Sequence, residues 1–142
     1  GVGNPFFDSV ESVLAHILFS VPAIKGLEFG RGFGIAEMLG SEANDSYYYD
    51  GDQIKTRTNH NGGILGGITD GMPIIYKVAI KPPASITKVQ QTINIEDKTA
   101  AELSVEGRHD PIIVPRAIPV LEAVTAIAIL DLLLDSKFYK YD

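Results

Sequence analysis

Gly107-Arg108-His109-Asp110-Pro111 sets a cation, an imidazole and a carboxylate on consecutive residues, the densest group of reactive side chains in the chain. In an extended loop Arg108 and Asp110 share one face and His109 turns to the other. Arg108 can fork onto a phosphate or carboxylate, and Asp110 can accept a proton or orient a group that does. The competing reading is a surface ion pair beside a helix start. His109 is expected to hydrogen-bond locally, because no H-x-x-x-H spacing supplies a second imidazole, and no metal site is predicted. Arg116 is a second candidate phosphate contact, against a plain solvated helix residue. His16, on the rim of the first helix, reads as structural.

The stretch 59–71 holds five glycines, Gly62, Gly63, Gly66, Gly67 and Gly71, around the apolar pair Ile64-Leu65. Such a run asks for positive φ or for close approach of another group, and it reads as neither helix nor strand. Backbone packing on a helix and approach of a ligand both remain open at this level. Gly30-Arg31-Gly32-Phe33-Gly34 has the look of a phosphate loop. It lacks G-x-G-x-x-G spacing and a following Gly-Lys-Ser/Thr, so it reads as a strand-ending turn. The acidic residues of 42–52 have no EF-hand spacing and read as a solvated loop.

These groups need elements to position them. Val10, Val13, Leu14, Ile17 and Leu18 fall on one stripe of a helix, with Asp8 as expected N-cap, Glu11 as capping-box partner and Pro22 stopping it near Ser20. A strand is expected over 23–29, an edge strand at Tyr47-Tyr48-Tyr49 ending in the Asp50-Gly51 turn, and strands over 74–80, 86–95 and 99–105 as an antiparallel meander. From Pro115 to Leu134 the pattern is helical and apolar nearly all round, which predicts a long, mostly buried C-terminal helix. Segregated helices and strands indicate an α+β fold, a layered sandwich of antiparallel sheet and helices, with residues 1–142 as a single domain.

Composition narrows the function classes. Hydrophobic residues at 45% and charged residues at 21% describe a chain able to bury a core. A net charge of -6 argues against nonspecific nucleic-acid or anionic-membrane binding, so an anionic ligand must meet a local cluster of cations. The absence of cysteine excludes disulfides, thiolate nucleophiles and Cys-ligated metals, and fits a cytoplasmic location. Pro119, Glu122 and Asp131 interrupt the one long apolar run, which argues against a membrane span. The Gly1-Val2-Gly3 start shows no targeting pattern, and the chain is expected to be a piece of something longer. An enzyme, a ligand-binding module and an assembly domain all fit this much.

Six stretches carry a more specific signal: Gly1–Asp8, Ser20–Gly26, Gly40–Asp45, Asn59–Ile68, Lys81–Ser85 and Gly107–Ala117. In this order they resemble chorismate synthase, in the C-terminal part of that enzyme only. The resemblance implies a lyase of the shikimate pathway, in aromatic amino acid biosynthesis, that eliminates phosphate from 5-enolpyruvylshikimate 3-phosphate and requires reduced FMN. By motif, Pro22, Ala23 and Gly66 would line the flavin site. Lys81, Pro82, Pro83, Ala84 and Ser85 would form a loop around it, Arg108 would meet flavin or substrate anions, and Asp110 would help proton movement. The family is usually homotetrameric. Its two proposed acid histidines and its Arg/Ser-rich phosphate stretch belong to the N-terminal part, which this chain would need, and His16, His60 and His109 are not assigned to replace them. A non-catalytic flavin- or phosphate-binding module, or an assembly domain, is the alternative.

Overall fold

The computed structural model describes residues 1–138. Helix α1 spans Val10–Ser20, and its buried residues Val10, Leu14 and Leu18 recur every fourth position, as the apolar stripe requires. The N-cap is Ser9, not Asp8: Ser9 Oγ accepts from the Ser12 backbone N–H at 3.1 Å. The Asp8 backbone is held by reciprocal hydrogen bonds with Asn4, at 2.9 and 3.1 Å, so the next residue's hydroxyl is the first acceptor in place. Glu11 therefore stands one residue out of capping-box register. Val21 ends the helix in extended geometry ahead of Pro22.

Strand β1 (Ile24–Phe29) pairs antiparallel with β6 (Tyr76–Ile80), from Ile24 opposite Ile80 to Phe29 opposite Tyr76. The expected meander is corrected here. β6 does not pair with the strand that follows it, because Pro82 and Pro83 supply no backbone N–H and lead the chain away. β7 (Gln90–Asn94) and β8 (Thr99–Leu103) instead form a ribbon of their own around the expected turn at Glu96-Asp97-Lys98. Between β1 and β6 lie a 3-10 helix (Gly32–Glu37), a single-turn helix α2 (Gly40–Ala43), and the tyrosine strand β2 (Tyr47–Asp50) paired with β3 (Gln53–Thr56). The glycine stretch contains a minimal hairpin after all, β4 (Ile64–Leu65) with β5 (Ile68–Thr69). The sheets are thus two-stranded ribbons within an α+β fold.

Helix α3 spans Val114–Phe138 and runs through Pro119, whose missing N–H forgoes the bond to the Pro115 carbonyl. By length and composition it could cross a membrane. One stripe packs on α1: Ala128 and Leu132 join Val10, Leu14, Leu18 and Ile64 in the buried core, with Leu121, Val124 and Ile129 against them. Tyr76 of β6 hydrogen-bonds Thr125 at 2.7 Å and ties the β1–β6 ribbon to the same stripe. The expectation of a mostly buried helix is corrected, since Ile127 is 60% and Leu130 56% exposed. The 11-residue α1 can cover one face of a 25-residue helix and no more.

Candidate functional site

The candidate residues occupy loops at the ends of these elements. Pro22 and Ala23 follow α1, and Ala23 takes φ +70°. Its carbonyl accepts the Lys81 backbone N–H at 2.7 Å, so the 22–23 turn and the start of the 81–85 loop are joined. That loop is exposed except for half-buried Pro83, and the Ala84 carbonyl accepts from Gln90 Nε2 at 2.9 Å and from the Ile86 N–H at 3.1 Å. Val105 N–H reaches the Ile86 carbonyl at 3.4 Å, and Ser104 Oγ donates to the Thr87 carbonyl at 2.8 Å. The approach to Arg108 therefore runs beside the exit of the 81–85 loop.

Gly66 lies elsewhere. It sits at the tip of the β4–β5 hairpin with φ +60°, and a Cβ built there meets nothing within 4 Å, so its face is open. The next carbonyl, Gly67, accepts the first N–H of α1, from Val10, at 3.0 Å. Gly66 thus stands at the N-terminal end of α1 and Pro22-Ala23 at the other end, separated by 11 helical residues or about 16 Å. This chain does not bring those two groups together.

Arg108 is exposed and, among the described residues, has no ion-pair partner. Asp110 pairs instead with Arg116, Oδ2 to Nη2 at 2.7 Å, across the start of α3. Both side chains are half exposed or more, so this is a surface ion pair, made with Arg116 rather than with the neighbouring Arg108. His109 Nε2 lies 3.2 Å from the Val105 carbonyl, the local hydrogen bond expected of it.

The acidic loop hides a residue that the sequence reading missed. Asp45 is not solvated; it is 2% exposed and takes four hydrogen bonds. Oδ1 accepts from Thr58 Oγ1 at 2.7 Å and the His60 N–H at 2.8 Å, and Oδ2 accepts from the Asn61 N–H and Asn61 Nδ2, both at 2.8 Å. Burial alone works to raise its pKa, but these four donors to the charged form outweigh it and hold the carboxyl at about 2. Its presence in one of the family-like stretches was the only signal in the sequence.

The comparisons with known proteins follow the same stretches. Residues 1–134 match the family model described as chorismate synthase. The chain belongs to the chorismate synthase family. It is 55% identical over 139 residues to the chorismate synthase of Methanococcus aeolicus, covering 97% of this chain and 37% of that protein. It is 50% identical to the chorismate synthase of Dehalococcoides mccartyi over 94% of this chain and, again, 37% of the relative. The chain thus spans little more than a third of the curated relatives it matches. A crystal structure of chorismate synthase superposes with a TM-score of 0.73 and 31% identity, over 96% of this chain and 34% of that one. The α+β arrangement of small ribbons and a long C-terminal helix is the fold of chorismate synthase across that region.

Proposed function

We propose that this chain supplies flavin-facing and anion-facing loops to a chorismate synthase, a cytoplasmic homotetramer that converts 5-enolpyruvylshikimate 3-phosphate to chorismate and phosphate with reduced FMN. The family match over residues 1–134 carries the reading. That match takes in most of α3, so its apolar run belongs to the family domain rather than to a membrane anchor.

The residues present fit a flavin as separate contacts. The open, side-chain-free face at Gly66 admits a flat ring, and exposed Arg108 and Lys81 offer charge to anionic oxygens. In the reaction a C–O bond to phosphate and a ring C–H bond break in the 1,4-anti sense, and the ring gains a double bond with no net redox change. Bound at this site, reduced FMN would supply an electron transiently as phosphate leaves and take it back as the ring hydrogen departs. Arg108 binds an anionic oxygen of flavin or substrate. Asp110 holds a proton acceptor near the flavin, and Arg116, at 2.7 Å, fixes the direction of its carboxylate. Pro22-Ala23 and the 81–85 loop, joined through the Ala23 carbonyl, form one continuous edge.

Expelling phosphate needs several cations around the leaving oxygens, and the candidate cations carried over by motif, Arg108, Arg116 and Lys81, come from separate parts of the chain, with Arg116 already paired to Asp110. The 142 residues alone are therefore expected to form no chorismate. Anaerobic turnover followed at the absorbance of chorismate tests this, with the chain alone and with the family's N-terminal part restored. Turnover by the chain alone refutes the division of labour. Restored enzyme that neither binds FMN nor turns over points to an assembly domain, and FMN binding without turnover to a flavin-binding module. In the active assembly Arg108→Ala should weaken binding by about 1.5–3 kcal/mol, the loss of a charge-assisted donor. Asp110→Asn should lower kcat with binding kept.

A further inference from the structure

We infer that Asp45 is a positioning residue for the flavin site: its buried carboxylate clamps the Thr58–Asn61 bend and thereby sets where the glycine hairpin presents Gly66. The inference rests on the reading that Gly66 faces the flavin.

A carboxylate at 2% exposure with no cation among its described partners is costly to bury, so something must compensate it. The compensation comes entirely from one bend of chain. Thr58, His60 and Asn61 give four donors, two to each oxygen. The bend they form is then tied onward. The His60 carbonyl accepts the Arg31 N–H at 2.7 Å, and the Gly62 carbonyl accepts the Ile75 N–H at 3.1 Å. Gly62 has φ +69°, and a Cβ there would stand 2.5 Å from Gly30 N and 2.7 Å from the Ile75 carbonyl, so backbone fills that space. The Gly63 carbonyl holds the Asp70 N–H at 3.1 Å at the far end of the hairpin.

From the clamp at Asn61 to Gly66 there are five residues, and hydrogen bonds or close packing engage them up to the hairpin tip. There is no slack to absorb a shift of the bend. A carboxylate suits this position because it is acceptor on both oxygens; an Asn would aim its NH2 group at two of the four donors. The Gly67 carbonyl also holds the Val10 N–H, so a bend that shifts must strain that bond or turn the tip about it, and either outcome changes how Gly66 is presented.

The test uses the complete enzyme, this chain joined to the family's N-terminal part, with FMN as probe in the presence of substrate. Asp45→Asn should raise the FMN Kd by about ten-fold in protein shown folded by circular dichroism, about what the loss of one well-made contact costs. Thr58→Val removes one donor and keeps the carboxylate; it should raise Kd in the same direction by a smaller factor, and it decides the matter if Asp45→Asn does not fold. Protection of the His60 and Asn61 amides from hydrogen exchange should fall in the same variants. Folded variants with the wild-type FMN Kd, whatever their melting temperature, overturn the positioning role and leave Asp45 a stability residue. Wild-type enzyme that binds no FMN overturns the flavin reading beneath it.

Discussion

Acid should weaken this fold in part through Asp45. The carboxyl drops from its ordinary 3.8 to about 2 in the folded chain, against the desolvation of a nearly buried site. A group with a depressed folded pKa stabilises the fold fully above its unfolded value and loses that contribution as pH falls through the folded one. A shift of this size is worth about 2.5 kcal/mol at neutral pH, and about 2 kcal/mol of it should vanish between pH 4 and pH 2. Other carboxylates titrate in the same window, so the informative quantity is the difference between wild type and Asp45→Asn. Urea unfolding at pH 7, 4, 3 and 2 gives it. The variant should be less stable by about 2–3 kcal/mol at pH 7, with the gap closing toward pH 2. A gap that stays constant from pH 7 to pH 2 would refute the claim that the charged form of Asp45 organises the 58–61 bend.

Two further outcomes follow from the packing. Leu14→Ala empties a fully buried position between α1 and α3 and should cost about 3–5 kcal/mol in denaturant unfolding; a cost under about 1 kcal/mol would place the real core elsewhere. The bare face of α3, with Ile127 and Leu130 more than half exposed, should drive the isolated chain to self-associate, and the double change Ile127→Glu, Leu130→Glu should lower its mass in light scattering; a clean wild-type monomer at high concentration contradicts this.

The local elements were largely legible in the chain itself. The α1 stripe, the stop at Pro22, the tyrosine strand, the turn at 96–98 and the long C-terminal helix each follow from periodicity or from a residue that breaks it, and these act over a few positions. Family membership was legible for the same reason, since the motifs are short runs read in order. What needed three dimensions was everything joining distant segments. Pro82-Pro83 argues against pairing β6 with β7, but nothing near β6 in sequence names β1 as its partner, because pairing across some fifty residues is decided by which ribbon can lay Leu27, Phe29 and Tyr76 on the core. Asp45 looks like any loop carboxylate until Thr58, His60 and Asn61 fold over it and water is excluded. Asp110 could not reveal Arg116 as its partner, because the start of α3 sets their approach. The exposed face of α3 shows the same division: an all-round apolar helix is a property of composition, whereas which of its faces is covered depends on what stands beside it, and α1 covers only one.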